Sequence, residues 1–361
     1  MEKRIDWIDI VRAVGMFLII MGHTLEVYTY SIVGKLIFAV HVPVFFVLSG
    51  YLYKEKTFKK IFKGGNVNLL LPYLATLIII VIITRFNFIF PNWIYNLDMR
   101  NFWVSALYGS GTTLNPFWDK SLTINAIGAI WFLMAMYFGN IIFNFIIKSG
   151  RGNLYVSGIV ATIVTFGGFY LSDIDIWLPW SFNAAMASQL FYYSGYLIKN
   201  FDLIEKYGRF GCFAGIVLWM VSAQSGFLYL NIAHADSPIL AILGGIGGSF
   251  TLMYLSKILC ETKVDLKVVK YYGQMSLIVL CVHLIDLNSL AISRKIYGTL
   301  AQTTGNQILA VNLEILYRFL LTVVGIIIIP KLPVVRSFYL NRTYPFRAKF
   351  LGRKNTGQRD I

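Results

Sequence analysis

Two ionisable residues bracket an apolar run near the start of the chain. The stretch "RAVGMFLIIMGH" has Arg12 at one end and His23 at the other, with small or apolar residues between them. Eleven helical residues turn through about 1100° and rise about 16 Å, so both side chains lie on one helix face at two depths. Imidazole exchanges a proton near neutral pH and guanidinium binds anions. This face therefore predicts a proton-transfer site and, at a distance, an anion site.

Two more ionisable residues are predicted to lie near His23. Glu26 follows His23 by three residues, shares its helix face in a continuous helix, and would orient the imidazole. The next apolar segment begins "HVPVFFVLSGYLY", and the short connection "SIVGK" makes the two helices antiparallel neighbours. This arrangement brings His41 toward His23 and indicates a polar chamber.

Ionisable residues recur in the last apolar segments. The stretch "YYGQMSLIVLCVHLID" places His283 near the middle of a helix and Asp286 one turn later, a spacing typical of an oriented base and equally of a structural pair. Glu314 and Arg318, four residues apart, predict a buried ion pair with a structural role. His234 lies in a short loop and is assigned no role.

The composition indicates a membrane protein. Of the 361 residues, 57% are hydrophobic and 14% are charged, and the mean hydropathy is +0.66. Apolar runs of about 17 to 25 residues recur almost end to end, and each can cross a hydrocarbon layer of about 30 Å. The predicted fold is an all-α polytopic membrane protein of about ten transmembrane helices, without a removable signal peptide. The predicted spans are 8–30, 36–53, 69–90, 126–147, 154–171, 184–198, 210–230, 239–259, 273–292 and 308–329.

The distribution of basic residues predicts the topology. With these spans, 24 of the 32 Lys and Arg residues fall on one side of the membrane, six fall on the other side, and two lie within spans. This excess predicts that both termini are cytoplasmic and that the protein is a multi-pass protein of the cell (plasma or inner) membrane. We expect one transmembrane domain over residues 1–330 and a basic cytoplasmic tail over residues 331–361.

Other function classes have little support in the sequence. The basic residues lie in short loops and the tail, so topology explains the net charge of +15 and no nucleic-acid partner is expected. No zinc, haem or nucleotide-binding motif is visible, and no metal site is expected. Cys212, Cys260 and Cys281 lie in or beside apolar segments without metal-ligand spacing, and are predicted to be core residues.

Three further features allow two interpretations each. The amphipathic stretch "KEKTFKKIFKGG" is either an inner-leaflet anchor or a docking surface for an anionic cytosolic ligand, through Lys59, Lys60 and Lys63. The stretch 91–125 is either an ordinary interfacial loop or a partly buried outer loop or re-entrant piece. Trp131, in the outer part of the fourth span, is either an aromatic-belt anchor without a function or a functional residue.

Several segments together resemble a known family. The stretches "RIDWIDIVRAVGMFLIIMGHT", "HVPVFFVLSGYLY", "WFL" and "GQMSLIVLCVH" resemble the signature segments of the acyltransferase family 3 membrane proteins, especially the fucose 4-O-acetylase-like branch. An arginine followed after ten residues by a histidine is that family's best-known marker, and it falls on Arg12 and His23. The resemblance implies ten helices and transfer of an acyl group, most often acetyl from cytosolic acetyl-CoA, to sugars of envelope, capsular or exported polysaccharides or their lipid-linked precursors.

The chemistry of the residues and the resemblance together suggest roles for particular residues. His23, with Glu26 and His41 beside it, is the candidate catalytic base or acyl carrier. Candidate contacts for the donor's phosphates are Arg12 and the lysines at 59, 60 and 63. Candidate supporting or oxyanion-binding residues are Ser49, Trp131, His41, His283 and Asp286.

The chain departs from the family pattern at one place. Many members have an arginine shortly before the start of helix three, whereas "NLLLPYL" is preceded by no arginine and has Asn68 there. The nearby lysines are the expected substitutes. No additional globular domain is expected after the last helix. Acetyl-CoA is expected as a co-substrate, with no permanently bound cofactor, and the expected partners are a carbohydrate acceptor, membrane lipids, copies of this chain and polysaccharide-assembly proteins.

Two other functions fit the same residues. A proton-coupled transporter or flippase for a glycan or small anionic solute would use Arg12, His23, Glu26 and His283 as a path through the bundle. A scaffold within an envelope-polymer assembly would not need His23. Consumption of acetyl-CoA distinguishes the enzyme from both.

Overall fold

A computed structural model describes residues 5–345 of the chain. Lys3, Arg4 and residues 346–361 of the predicted tail lie outside the described residues. The helices are α1 (Asp6–Gly22), α2 (Ile32–Val40), α3 (Pro43–Tyr51), α4 (Phe58–Gly65), α5 (Leu71–Thr84), α6 (Met99–Tyr108), α7 (Trp131–Ser149), α8 (Leu154–Asp173), α9 (Phe182–Ala187), α10 (Gln189–Asn200), α11 (Leu203–Ser225), α12 (Pro238–Glu261), α13 (Lys267–Gln274), α14 (Ser276–Ser289), α15 (Ile292–Thr304), α16 (Gln307–Ile328) and α17 (Val335–Tyr339). Two short antiparallel strands, β1 (Leu228–Tyr229) and β2 (His234–Ala235), pair between α11 and α12.

The helices confirm the polytopic membrane class. Among residues 5–345, six helical segments are long and apolar enough to cross a membrane, and a seventh results if the bent pair α13 and α14 forms one span. The count of ten spans and the cytoplasmic placement of both termini stay predictions. The six segments are Ile32–Tyr51, Phe58–Phe88, Trp131–Ser149, Leu154–Asp173, Pro238–Glu261 and Gln307–Lys331.

The first helix is shorter than its hydropathy predicts. The predicted span is 8–30, but α1 ends at Gly22, and His23 is the residue that follows it. Glu26 has a φ of 46°, which lies in the left-handed region and interrupts any continuing helix. Ser31 then caps α2 with its hydroxyl. The predicted end is wrong because a tight turn built from partly apolar residues leaves little trace in a hydropathy profile.

Several other predicted spans contain a break. The second is divided into α2 and α3, and the sixth is divided into α9 and α10 at Ser188. The helices α13 and α14 meet at an angle of 67°. In contrast, α4 and α5 continue into each other through a π-helical turn, Asn66–Leu70. Such π turns widen a helix by one residue per turn and occur often at functional sites.

Helix α1 is a central element of the bundle and packs on neighbours on several sides. It contacts α2, α3, α12, α13, α14 and α16. Gly273 of α13 approaches the Asp9 carbonyl so closely that a Cβ would overlap it, so this contact needs a glycine. Gly15 faces the ring of Phe45 in α3, and Gly22 faces α2. These two glycines of α1 therefore serve helix packing.

The segment between α5 and α7 is joined to the helices of the bundle by a backbone bridge and by a side-chain hydrogen bond from Tyr73 to the Ala106 carbonyl. It contains α6, an isolated bridge between Leu114 and Ile124, and a second bridge that joins Ile94 to Leu290. Leu114 is 6% exposed and Ile124 is 2% exposed. The stretch 91–125 is therefore partly buried, whereas its possible re-entry into the membrane stays a prediction.

Candidate active site

Three histidines from distant parts of the chain meet in the bundle. His23 follows α1, His41 lies between α2 and α3, and His283 lies on α14. The ring centroid of His23 is 6.5 Å from that of His41 and 5.7 Å from that of His283. The predicted approach of His41 to His23 is confirmed. We call the three side chains the histidine cluster.

The histidine cluster borders a cavity of about 400 Å³, which we call the histidine cavity. The side chains of His23 and His41 line it together with Trp131, the first residue of α7. The segment 227–231, which includes β1, forms another part of the wall. The ring of His283 contacts the ring of His23. Among the described residues that line the cavity, His283 is absent, so it lies behind His23 as seen from the cavity.

The backbone fixes the orientation of the His41 ring. Its Nδ1 lies 3.0 Å from the carbonyl oxygen of Ile37, which can only accept a hydrogen bond, so Nδ1 carries the hydrogen. The ring of Phe38 packs on it at 4.7 Å. A neutral imidazole in this tautomer has an accepting Nε2. His41 can therefore take a proton at Nε2, but in its neutral form it cannot donate one there to an oxyanion.

The His283 ring is buried without a polar partner. It is 1% exposed, and within residues 5–345 neither of its ring nitrogens has a hydrogen-bond partner. The predicted neighbour, Asp286, turns to α16 instead: one carboxylate oxygen accepts from the Tyr317 hydroxyl at 3.0 Å, and the other lies 3.7 Å from Nε of Arg318. The spacing of three residues along α14 therefore does not produce a His–Asp pair.

The helices α14, α15 and α16 are joined by a buried charge network. Arg318 donates to the Glu314 carboxylate at 2.9 Å and to the Ser293 hydroxyl at 2.9 Å. Glu314 is 0% exposed and Arg318 is 3% exposed, so the predicted buried ion pair is confirmed. Asp286 adds a second carboxylate to the same guanidinium. Charges this deep are tolerated because each is paired, and the network cross-links the helix that carries His283.

Glu26 lies outside the histidine cluster. It is exposed, begins a short 3-10 turn and, among the described residues, makes no hydrogen bond to His23. Its predicted position one helical turn above His23 is wrong because α1 ends at Gly22. The catalytic role assigned to Glu26 stays a prediction without geometric support.

A second cavity of about 190 Å³ lies around Arg12, and we call it the arginine cavity. Its polar lining residues include Ser49, Asn68 and Ser276. The Arg12 side chain is about one-third exposed (32%), and its Nη1 lies 3.4 Å from the carboxylate of Asp9. Arg12 is therefore partly exposed at the surface of the bundle, and the nearby Asp9 carboxylate partly compensates its charge.

The two cavities share part of their walls. Phe132 of α7 and Leu280 of α14 line both of them. On α1, Arg12 and Met16 line the arginine cavity, whereas Ile19 and the residue that follows the helix, His23, line the histidine cavity. One stripe of α1 thus borders both cavities, in agreement with the single face expected from the spacing of Arg12 and His23.

The predicted oxyanion donors do not converge. Ser49 lines the arginine cavity and donates its hydroxyl to the Phe45 carbonyl at 2.9 Å. Trp131 and His41 line the histidine cavity. Because the neutral His41 presents an acceptor, Trp131 is the candidate donor that remains beside His23.

The three lysines of α4 lie on a helix that leads to the arginine cavity. Lys59, Lys60 and Lys63 are exposed, and none of them lines the cavity within the described chain. Asn68, in the π-helical turn that follows, does line it. Five residues of helix span about 7.5 Å, so Lys63 lies one to two turns from the lining.

Other lining residues have no signal in the sequence. Asn231 and Tyr229 reach the histidine cavity from the hairpin between α11 and α12, and Asn288 reaches it from α14. The Asn288 amide donates to the Leu284 carbonyl at 2.9 Å and also contacts Gly128 closely. An amide in a turn and an amide in a helix are too common for their types alone to indicate a site.

Comparison with known proteins adds a family. A family model described as an acyltransferase domain matches residues 5–330, which include both cavities and the histidine cluster. No curated protein and no solved structure matches the chain.

Proposed function

Because the chain belongs to acyltransferase family 3, we propose that this membrane acyltransferase moves an acetyl group from acetyl-CoA to a hydroxyl of an envelope, capsular or exported polysaccharide or its lipid-linked precursor. One observation carries the proposal. A single stripe of α1 borders two cavities, with Arg12 in one and His23 in the other. A long donor with a charged end and a reactive end would fit this arrangement.

The arginine cavity is the proposed entrance of the donor. Arg12 is partly exposed at this end, and α4 carries three exposed lysines that lead to it. Guanidinium and ammonium groups are the usual protein partners of phosphate. The excess of basic residues on this side supports its placement in the cytoplasm, where acetyl-CoA would be available. The pantetheine arm would extend along α1 from Arg12 toward His23.

The histidine cavity is the proposed place where donor and acceptor meet. Its lining combines the rings of Trp131, Phe227 and Tyr229 with the amides of Asn231 and Asn288. Apolar ring faces with a few placed polar groups are typical of sites that bind an organic ligand in one orientation. Such a lining suits a sugar, which has both apolar faces and hydroxyl groups.

His23 is the proposed general base. It would take the proton of the acceptor hydroxyl while the oxygen attacks the thioester carbonyl carbon, and the carbon–sulfur bond would then break. The departing thiolate of CoA would receive the proton from His23, which restores the neutral ring. Trp131 is the candidate donor to the oxyanion, and His283 would hold the His23 ring from behind.

An assay of the purified protein tests the proposal directly. The protein in lipid nanodiscs is incubated with acetyl-CoA and a panel of glycans, and free CoA thiol and acetylated glycan are measured together. We expect equal amounts of both products with a suitable acceptor. Movement of a glycan or anion in proteoliposomes without release of CoA would instead support the transporter, and neither activity would support the scaffold.

A further inference from the structure

The segment after the last long helix folds back onto the bundle. The Tyr339 hydroxyl of α17 lies 3.1 Å from the Thr76 hydroxyl of α5, and Tyr339 is 5% exposed. The guanidinium of Arg336 lies 4.0 Å above the ring of Tyr344. The amide of Tyr344 donates to the Leu340 carbonyl, which closes a turn. Residues 340–344 therefore have a defined place beside α5.

This turn brings Arg342 to the lining of the arginine cavity. Its Nε donates to the Asn68 side-chain oxygen at 3.2 Å, across 274 positions of sequence. The Asn68 amide nitrogen donates to the Gly64 carbonyl at 2.6 Å, so the oxygen of Asn68 is held toward Arg342. Asn68 itself lines the cavity. The π-helical turn that contains it thus links Arg342 to the proposed donor entrance.

We propose that Arg342 binds the phosphates of the donor at the mouth of the arginine cavity, together with Arg12. This inference rests on the function proposed above. Within residues 5–345, no carboxylate pairs with Arg342, and its side chain is exposed, whereas Arg12 has Asp9 beside it. The hydrogen bond from Nε to Asn68 uses one of the five N–H donors of the Arg342 guanidinium. The other four donors stay available on the side away from the Asn68 amide.

The partner of Arg342 is suited to this role. Asn68 is neutral, so it orients the guanidinium without neutralising its charge, as an aspartate would. A planar guanidinium held at one edge presents two terminal nitrogens to a phosphate in a bidentate geometry. Acetyl-CoA carries a diphosphate and a ribose phosphate, which need more than one cation at the entrance.

The test compares donors with and without phosphate. Arg342→Gln keeps a hydrogen-bond donor near Asn68 but removes the positive charge. Arg342→Lys keeps the charge but removes the two terminal nitrogens that allow a bidentate contact. Lys331→Ala is the matched control, because Lys331 is an exposed cation that follows α16 and does not line the cavity. CoA binding is measured by titration calorimetry, and KM and kcat are measured with acetyl-CoA and with acetyl-pantetheine.

We expect Arg342→Gln to raise the Kd for CoA and the KM for acetyl-CoA roughly tenfold, because the variant loses a charge-assisted contact to phosphate. We expect kcat and the KM for acetyl-pantetheine to stay within about twofold, Arg342→Lys to be intermediate and Lys331→Ala to resemble wild type. Unchanged binding in Arg342→Gln, or an equal loss with acetyl-pantetheine, would overturn the role of Arg342. Wild-type protein that binds CoA without transferring acetyl would overturn the proposed function, while the binding data would still decide the role of Arg342.

Discussion

The two cavities along α1 differ in how they handle charge. The arginine cavity has a partly exposed cation, Arg12, beside a buried carboxylate, Asp9. The histidine cavity is lined by imidazole, indole and amide groups, and the buried ion pairs of Arg318 involve none of the residues that line it among the described residues. The two cavities nevertheless share Phe132 and Leu280 in their walls.

This difference follows from the cost of charge in a membrane protein. A charged group away from water must be paired or reach the surface, whereas a neutral imidazole can stay buried and still exchange a proton. Binding of a charged donor is therefore expected in the arginine cavity, where Arg12 is partly exposed. Proton transfer is expected in the histidine cavity. If this division is correct, substitutions in the histidine cavity should change kcat, and those in the arginine cavity should change KM.

The largest effect is expected for His23→Ala. Loss of a general base should lower kcat by about 10²- to 10⁴-fold, while the Kd for CoA stays near the wild-type value. His234→Ala is the matched control, because the His234 side chain is 44% exposed, lines neither cavity among the described residues and pairs with Asp173 at 3.0 Å. Release of CoA and calorimetric binding are measured for both variants. A His23→Ala protein with normal turnover would remove the histidine cavity from the chemistry.

A large loss of stability is expected for Arg318→Met. The change would leave the buried carboxylates of Glu314 and Asp286 without their cation, which costs about 3–5 kcal/mol in unfolding free energy. Lys267→Met breaks an exposed ion pair with Asp265 and should cost at most about 1 kcal/mol. Both variants are compared by thermal and chemical unfolding in detergent. Equal stability of the two would show that the network does not support α14.

A moderate effect on donor choice is expected for Phe132→Leu. A smaller side chain in the shared wall should favour butyryl-CoA over acetyl-CoA by about fivefold to tenfold in kcat/KM, as for a pocket enlarged by one or two methylenes. Phe143→Leu is the control, since Phe143 is 1% exposed and lines neither cavity among the described residues. The same preference in both variants would mean that the shared wall does not contact the acyl chain.

The smallest effect is expected for Glu26→Gln. Glu26 is exposed and separated from His23 by the end of α1, so kcat should change less than about twofold if it plays no part in proton transfer. The pH dependence of kcat should also match wild type. A loss above tenfold would mean that the turn after α1 rearranges on binding and brings this carboxylate to His23.

Local sequence spacing determined much of the fold and part of the site. The apolar runs mark helices that match most predicted spans, because hydropathy is a property of each segment by itself. The placement of Arg12 and His23 along one stripe follows from helical geometry, as does the Glu314–Arg318 pair. The predicted position of Glu26 beside His23 is wrong because it required α1 to continue past Gly22. Hydropathy does not reveal the backbone turn that ends this helix.

Only the tertiary structure decided which residues from different helices meet. Asp286 is bonded to Tyr317 and Arg318 rather than to His283, and His283 contacts His23 instead. Arg342 reaches Asn68 because α17 folds back onto α5. Spacing within a helix fixes neighbours three and four residues apart, whereas contacts between helices depend on packing angles, breaks and close glycine contacts that no single segment encodes.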